Sequence, residues 1–97
     1  MENIKMTKKE KEILKTLVIG DKSEIITNRF SGRQVELCPA AVALYNAIMD
    51  SERDLIRNSL FGFYMNNKEY DHLFILFDTA RDVFRRNFPK EYIILLD

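Results

Sequence analysis

The sequence predicts a mainly α-helical, compact single domain of four to five helices with one short β-hairpin, at about residues 24–37. Three patterns lead to this fold class. They are a helix-starting motif near the N-terminus, a broad apolar stripe at helical spacing near the C-terminus, and a stretch of alternating apolar and polar residues between them. The 97 residues suffice for one domain, residues 1–97, and 46% hydrophobic with 31% charged residues is ordinary for a globular fold.

The first element begins at a capping-box signature, Thr7 followed three residues later by Glu10. Apolar residues at helical spacing follow, and Gly20 is well placed to end the helix. Three lysines in the first turn oppose the helix dipole. We therefore expect a helix from Thr7 to about Gly20 that depends on packing for its stability.

The second element is the hairpin. Ile25, Ile26 and Thr27 favour a strand, and residues 34–37 alternate polar with apolar side chains. Between these runs, residues 28–32 have the polar and glycine chemistry of a tight turn. Because an isolated hairpin is marginal in water, we expect it to pack on the helices.

The next helix begins at Pro39, which suits the first helical position. Its apolar residues fall within one arc of roughly 140°: Ala41, Leu44, Tyr45, Ile48, Met49, Leu55 and Ile56. Glu52 lies in the middle of that arc, where a buried carboxylate would be costly. We therefore expect the helix to break near Asp50–Ser51, with either residue capping a new helix. The alternative is an unbroken helix with a partnered, buried Glu52.

The chain is then expected to turn a corner at residues 61–64 and to restart at Asn66–Asn67. The strongest helix signal follows. Its apolar stripe consists of Tyr70, Leu73, Phe74, Leu76, Phe77, Ala80, Val83, Phe84 and Phe88. Asn87 precedes Phe88–Pro89 and marks the end, since proline disfavours helical geometry just before it. Residues 90–97 form a short terminal helix in this interpretation.

Charge and cysteine content limit the classes of function that the protein can have. The formal net charge is zero, which argues against nonspecific electrostatic binding to nucleic acid or to an anionic membrane. A single cysteine and a single histidine exclude an internal disulfide and a zinc cluster, so we expect no cofactor and no metal. With no signal-peptide pattern and no stretch long enough to span a bilayer, a cytoplasmic protein without a membrane partner is predicted.

The hairpin turn is the best candidate for a binding surface. Arg29 and Arg33 flank Phe30, and two guanidinium groups around an exposed ring could hold a phosphate, an acidic peptide or a stacked base. The favoured interpretation is that Phe30 folds back onto the core and the arginines are solvated. Asn28 and Ser31 shape the turn in both cases.

A basic surface could extend from the first helix, through Lys8 and Lys11, toward the hairpin turn. The hairpin would then resemble the wing of a winged-helix DNA reader. That fold requires a basic recognition helix before the hairpin, and none is present. A solvated helix face is therefore the favoured interpretation of these lysines.

No catalytic arrangement is evident. His72 is next to Asp71, and adjacent helix residues do not face each other. Cys38 has no base beside it in the sequence. The acidic residues on one face of the long helix, Asp71, Asp78 and Asp82, fit ion pairs with nearby arginines better than a cation site. We therefore predict that the protein is not an enzyme.

Several segments carry a resemblance. They read Thr27-Asn28-Arg29-Phe30-Ser31-Gly32, Val35-Glu36-Leu37-Cys38-Pro39, Ala43-Leu44-Tyr45, and Asn87-Phe88-Pro89-Lys90-Glu91-Tyr92 with Leu95-Leu96-Asp97. About a third of the chain thus resembles small uncharacterised bacteriophage-type proteins with a Thr-Asn-Pro-Phe-Ser/Thr-Gly turn and a Pro-x-x-Tyr-x-x-Leu-Leu-Asp C-terminus. Arg29 stands where that pattern usually has proline. The resemblance implies a phage-type origin, hence the host bacterial cytoplasm, and supplies no reaction.

Two function hypotheses follow. The first is a non-enzymatic phage-type interaction protein that binds a host or phage protein, or itself as a homo-oligomer, through residues 28–33 and adjacent helices. The alternative is a binder of nucleic acid, a nucleotide or another small phosphorylated ligand through Arg29, Arg33 and the N-terminal lysines. The predicted binding residues are Asn28, Arg29, Phe30, Arg33, Lys8 and Lys11.

Overall fold

The computed structural model describes residues 4–61 and 67–96. Over those residues it has the predicted fold class, mainly helical with one two-stranded antiparallel hairpin. In chain order the elements are α1 (Lys8–Ile13), β1 (Glu24–Thr27), β2 (Gln34–Leu37), α2 (Pro39–Phe61), α3 (Asn67–Asn87) and α4 (Pro89–Leu95). A corner was predicted at residues 61–64. Residue 61 is the last of α2, and the rest of that segment lies outside the described residues.

Helix α1 begins as predicted and ends early. The Thr7 hydroxyl accepts a hydrogen bond from the Glu10 amide at 3.1 Å, and the Glu10 carboxylate accepts one from the Thr7 amide at 2.9 Å. The expected end at Gly20 is wrong, because the helix stops at Ile13. Val18 is 87% exposed, although the neighbouring Leu17 still packs against the core. Continuing the helix past Ile13 would bury little of Val18, and the lysines of the first turn already oppose the helix dipole, which explains the early end.

The N-terminal segment is fastened to the end of α3, as the dependence of α1 on packing requires. Both terminal nitrogens of Arg86 donate to the Glu10 carboxylate, at 2.8 and 3.0 Å. Lys5 and Asn87 exchange two hydrogen bonds, at 2.7 and 3.0 Å. Hydrogen bonding from Arg86 lowers the pKa of Glu10 to about 2, and Glu10 in turn raises the pKa of Arg86.

The hairpin has the register that its alternation predicts. Ile26 lies opposite Val35, and the side chains on that face of the ribbon pack against the core. Leu37 on the same face is only 1% exposed, whereas Ile25 on the other face is 66% exposed. The pleat therefore separates a core face from a solvent face, and the hairpin prediction is confirmed.

Helix α2 begins at Pro39 as predicted but runs without the expected break at Asp50–Ser51. Ser51 caps nothing. It is 2% exposed, and its hydroxyl donates to the backbone carbonyl of Ala47 one turn earlier. A serine bonded in this way can be buried inside a continuous helix. The alternative of a partnered, buried Glu52 is also wrong, since Glu52 is half-buried and has no hydrogen-bonding or ion-pair partner within residues 4–61 and 67–96.

The core forms where α2 and α3 pack together, closed by the hairpin and α4. Phe84 is fully buried, and its ring centroid lies 6.4 Å from that of Tyr45 and 5.7 Å from that of Phe88. The apolar stripe of α3 is buried only in its second half, because Tyr70 and Phe74 are 40% and 49% exposed. Helix α4 starts at Pro89, and its C-terminal end reaches the hairpin turn.

Candidate functional site

An open groove of about 740 Å³ lies between the hairpin turn, one face of α2 and the end of α4. We call it the loop groove. It is lined by Thr27, Asn28, Arg29, Phe30, Tyr45, Met49, Asp50, Glu52, Arg53, Ile56, Arg57, Leu95 and Leu96. Three of the predicted binding residues, all from the hairpin turn, are therefore brought to one recess.

Asn28 builds the turn and fixes it to the rest of the protein. Its carbonyl oxygen accepts hydrogen bonds from the amides of Phe30 at 2.8 Å and Ser31 at 3.1 Å. Its side-chain nitrogen donates to the backbone oxygen of Ile94 in α4, at 2.8 Å. Gly32 completes the turn with a φ of +75°, a conformation that suits glycine. The predicted turn-forming role of Asn28 is confirmed, and its bonds join the turn to α4.

Phe30 projects from this turn and is 90% exposed. The favoured interpretation from the sequence, that Phe30 folds back onto the core, is wrong. The physical reason is that Asn28 already makes the contact between the turn and α4, so the loop is held without the ring. The Arg29 guanidinium lies 5.5 Å from the Phe30 ring centroid, within the range of a cation–π contact.

The two arginines of the turn are placed differently. Both are exposed, and neither forms an ion pair with any residue that the structure describes. Arg29 lines the loop groove, whereas Arg33 does not. The structure therefore does not bring the two guanidinium groups to the loop groove together. Arg29 and Phe30 form the projecting pair.

The face of α2 that lines the groove carries an isolated acid. Tyr45, Met49, Glu52 and Ile56 are spaced four, three and four residues apart, so they share one helix face. Of the nearby carboxylates, Asp50 lies 3.5 Å from Arg53, but Glu52 has no partner among the described side chains. The sequence pattern singled out Glu52 correctly as unusual on an apolar face, but the helix break inferred from it was wrong.

The predicted lysines lie elsewhere. Lys11 lines a separate cavity of about 310 Å³, which is walled mainly by apolar residues of the N-terminal segment, α1 and the start of α2. Ala40 and Ala43, which line that cavity, lie on roughly the opposite side of α2 from Tyr45 and Met49. Neither Lys8 nor Lys11 lines the loop groove. Lys8 and Lys11 therefore do not share the loop groove with Arg29.

The remaining candidates have ordinary surroundings. Asp78 pairs with Arg81 at 2.7 Å and Asp82 with Arg85 at 3.3 Å, as the ion-pair interpretation predicted. Cys38 is half-buried with a free thiol. In the part of the chain that the structure describes, no three acidic, histidine or cysteine side chains are grouped to hold a metal ion. No helix over residues 4–61 and 67–96 has the length and apolar character needed to cross a bilayer.

The fold and the loop groove define a small helical domain that presents an aromatic–arginine projection beside a partly apolar recess. No protein-family model, no curated protein and no solved structure matches this chain. Its function must therefore be argued from the geometry of the groove.

Proposed function

We propose that this protein is a non-enzymatic binding module that holds a partner protein through Arg29, Phe30 and the loop groove. The observation that supports this most is the 90% exposure of Phe30 on a turn whose backbone is held by the Asn28 side chain. Aromatic residues and arginine are the residue types that most often dominate the binding energy of protein interfaces.

The energetics favour this use of the loop. Burying a phenylalanine side chain gains about 1.5–3 kcal/mol relative to leaving it in water, and Phe30 has nearly all of that still to gain. Binding by a flexible loop loses part of such a gain to ordering. Here the bonds of Asn28 to the Phe30 amide and to α4 have ordered the loop during folding. A partner therefore meets a preorganised projection.

We expect the partner to be a host or phage protein in the bacterial cytoplasm, or another copy of this chain, as the resemblance implies. The test is a pull-down with the immobilised protein, its Phe30→Ala variant and an Ile25→Ala control, from bacterial lysate to which a differently tagged copy of this chain has been added. Ile25 is 66% exposed and does not line the loop groove, so it matches Phe30 as an exposed apolar residue elsewhere on the hairpin.

The wild type and Ile25→Ala should recover the same protein, with at least about a tenfold smaller yield for Phe30→Ala, as expected of a central interface residue. Because Phe30 contacts little of its own chain, its loss should leave the circular-dichroism spectrum and the midpoint of unfolding unchanged. Equal recovery by all three proteins would refute the proposal.

The second candidate function, binding of nucleic acid or a small phosphorylated ligand, is favoured by one observation. Arg29 and Arg33 are exposed and have no ion-pair partner within the described ranges. Such binding should weaken steeply as salt is added, and it should be lost in an Arg29→Ala/Arg33→Ala double variant. Fluorescence anisotropy with a labelled single-stranded oligonucleotide and with a labelled nucleotide measures both effects. Absence of binding at low salt would exclude this function.

A further inference from the structure

The projecting ring and the recess lie side by side on one surface. Phe30 stands at the edge of the loop groove, which its own backbone neighbours also line. At 90% exposure, its ring does not fill the recess of its own chain. A surface that carries a projection and an adjacent recess can match a copy of itself rotated by 180°, because each projection then enters the other's recess.

The recess suits an aromatic ring. Its volume of about 740 Å³ exceeds what one side chain occupies, and Tyr45, Met49 and Ile56 give it an apolar side. Ile56 is 47% exposed, so a second ring placed there would cover apolar surface that its own chain leaves in water. Methionine and tyrosine also make favourable contacts with a phenyl ring.

One pair of charges, Arg29 and Glu52, is complementary in the same arrangement. Arg29 lies against the Phe30 ring and would enter the other copy's groove together with it. In that groove Glu52 is half-buried on the helix face of Tyr45, Met49 and Ile56, and it has no partner among the described residues, although Asp50, Arg53 and Arg57 also line the groove. A carboxylate in such a place gains from an incoming guanidinium, which binds it through two parallel hydrogen bonds. Asp50 is less suited, because Arg53 is already beside it at 3.5 Å.

We infer that the partner of the loop groove is a second copy of this chain. In the resulting two-fold dimer, Phe30 of each copy lies in the other copy's loop groove, and Arg29 of each copy pairs with Glu52 of the other. This inference rests on the proposed function, since it uses the same projection and the same groove. It names the partner by its chemistry, an aromatic–arginine pair entering a recess that contains one unpaired acid.

The test is a charge exchange followed by sedimentation velocity at concentrations up to about 1 mM, so that even a weak dimer is detected. The wild type and the Ile25→Ala control should dimerise with rising concentration. Arg29→Glu and Glu52→Arg should each raise the dissociation constant at least about tenfold, because each homodimer would then oppose two like-charged pairs. Phe30→Ala should raise it similarly.

The decisive step is to mix Arg29→Glu with Glu52→Arg in equal amounts. In the mixed dimer both contacts again join opposite charges, so dimers should return, and native mass spectrometry should show them as heterodimers. Circular dichroism on each variant establishes that both are folded. A mixture that stays monomeric, or a wild type that is monomeric throughout, would overturn the inference.

These results are separable from those of the pull-down. A monomeric wild type whose capture of a lysate protein still requires Phe30 would overturn the two-fold dimer and leave the proposed function standing. A wild-type dimer that Phe30→Ala leaves intact, together with Phe30-independent capture, would overturn both.

Discussion

Asn28 is the residue on which the geometry of the loop groove depends, and replacing it by alanine removes four hydrogen bonds. Two of them join its carbonyl oxygen to the amides of Phe30 and Ser31, at 2.8 and 3.1 Å, in an exposed setting. The third joins its side-chain nitrogen to the Ile94 oxygen at 2.8 Å and is partly buried, and the fourth joins the same nitrogen to the Leu95 oxygen at 3.5 Å, too long to add much stability. With about 0.5 kcal/mol for each exposed bond and about 1 kcal/mol for the third, Asn28→Ala should lower the free energy of unfolding by about 2 kcal/mol.

Urea unfolding followed by circular dichroism measures this loss, and a thermal melt should show a Tm about 8–16 °C lower for a domain of this size. Asn28→Asp is the matched variant, because it keeps the acceptor oxygen and loses the donor to Ile94. We expect it to lose at least about 1 kcal/mol. If the stability of Asn28→Ala lay within about 0.5 kcal/mol of the wild type, the turn would not be held by this side chain.

The same variant connects stability with binding. Asn28→Ala retains Arg29 and Phe30, so the groups proposed to contact the partner are still present. The loop would, however, have to be ordered on binding, and that ordering reduces affinity. Partner capture and dimerisation should therefore weaken in Asn28→Ala at temperatures where the variant is fully folded. Unchanged affinity would mean that preorganisation of the turn does not contribute to binding.

Two further predictions concern Gly32 in the turn and the contact between Glu10 and Arg86. Gly32→Ala should lower the free energy of unfolding by about 1 kcal/mol, because Gly32 has a φ of +75°. Gly20→Ala is the control and should change that free energy by less than about 0.5 kcal/mol. Gly20 has no positive φ, and a Cβ added there would meet no atom within 4 Å. For Glu10, the folded-state pKa of about 2 is below the ordinary 4.5, so its stabilisation is complete above pH 4.5 and is lost as the pH falls toward 2. Glu10→Gln should therefore flatten the decline of the urea midpoint across that pH window.

Equal losses in the two glycine variants would show that backbone conformation at Gly32 is not what makes glycine necessary there. For Glu10→Gln, an acid-unfolding profile parallel to that of the wild type would contradict the role assigned to the Arg86 contact. Arg86→Gln is the matching change on the other partner, and it should flatten the decline of the urea midpoint over the same pH range.

The start and end points of several elements are determined by the sequence alone. The Thr7 capping box, the start of α2 at Pro39 and the end of α3 at Asn87 are found where local chemistry predicted them. The hairpin at residues 24–37 is equally local, because alternation defines its strands and residues 28–32 define its turn. Such signals act over three or four residues, through hydrogen bonds and steric limits that do not depend on the rest of the fold.

Other features were decided only by the tertiary structure. Whether α1 continues to Gly20 depends on what its later turns can pack against, and Val18 is left 87% exposed. Ser51 fits inside a continuous helix because a carbonyl of the same helix accepts its hydroxyl hydrogen, so the charge pattern around it did not force a break. The position of the turn that carries Phe30 likewise depends on a bond between Asn28 and an oxygen 66 residues away. A local pattern gives the chemistry of each side chain, but burial and partners arise only when distant segments meet.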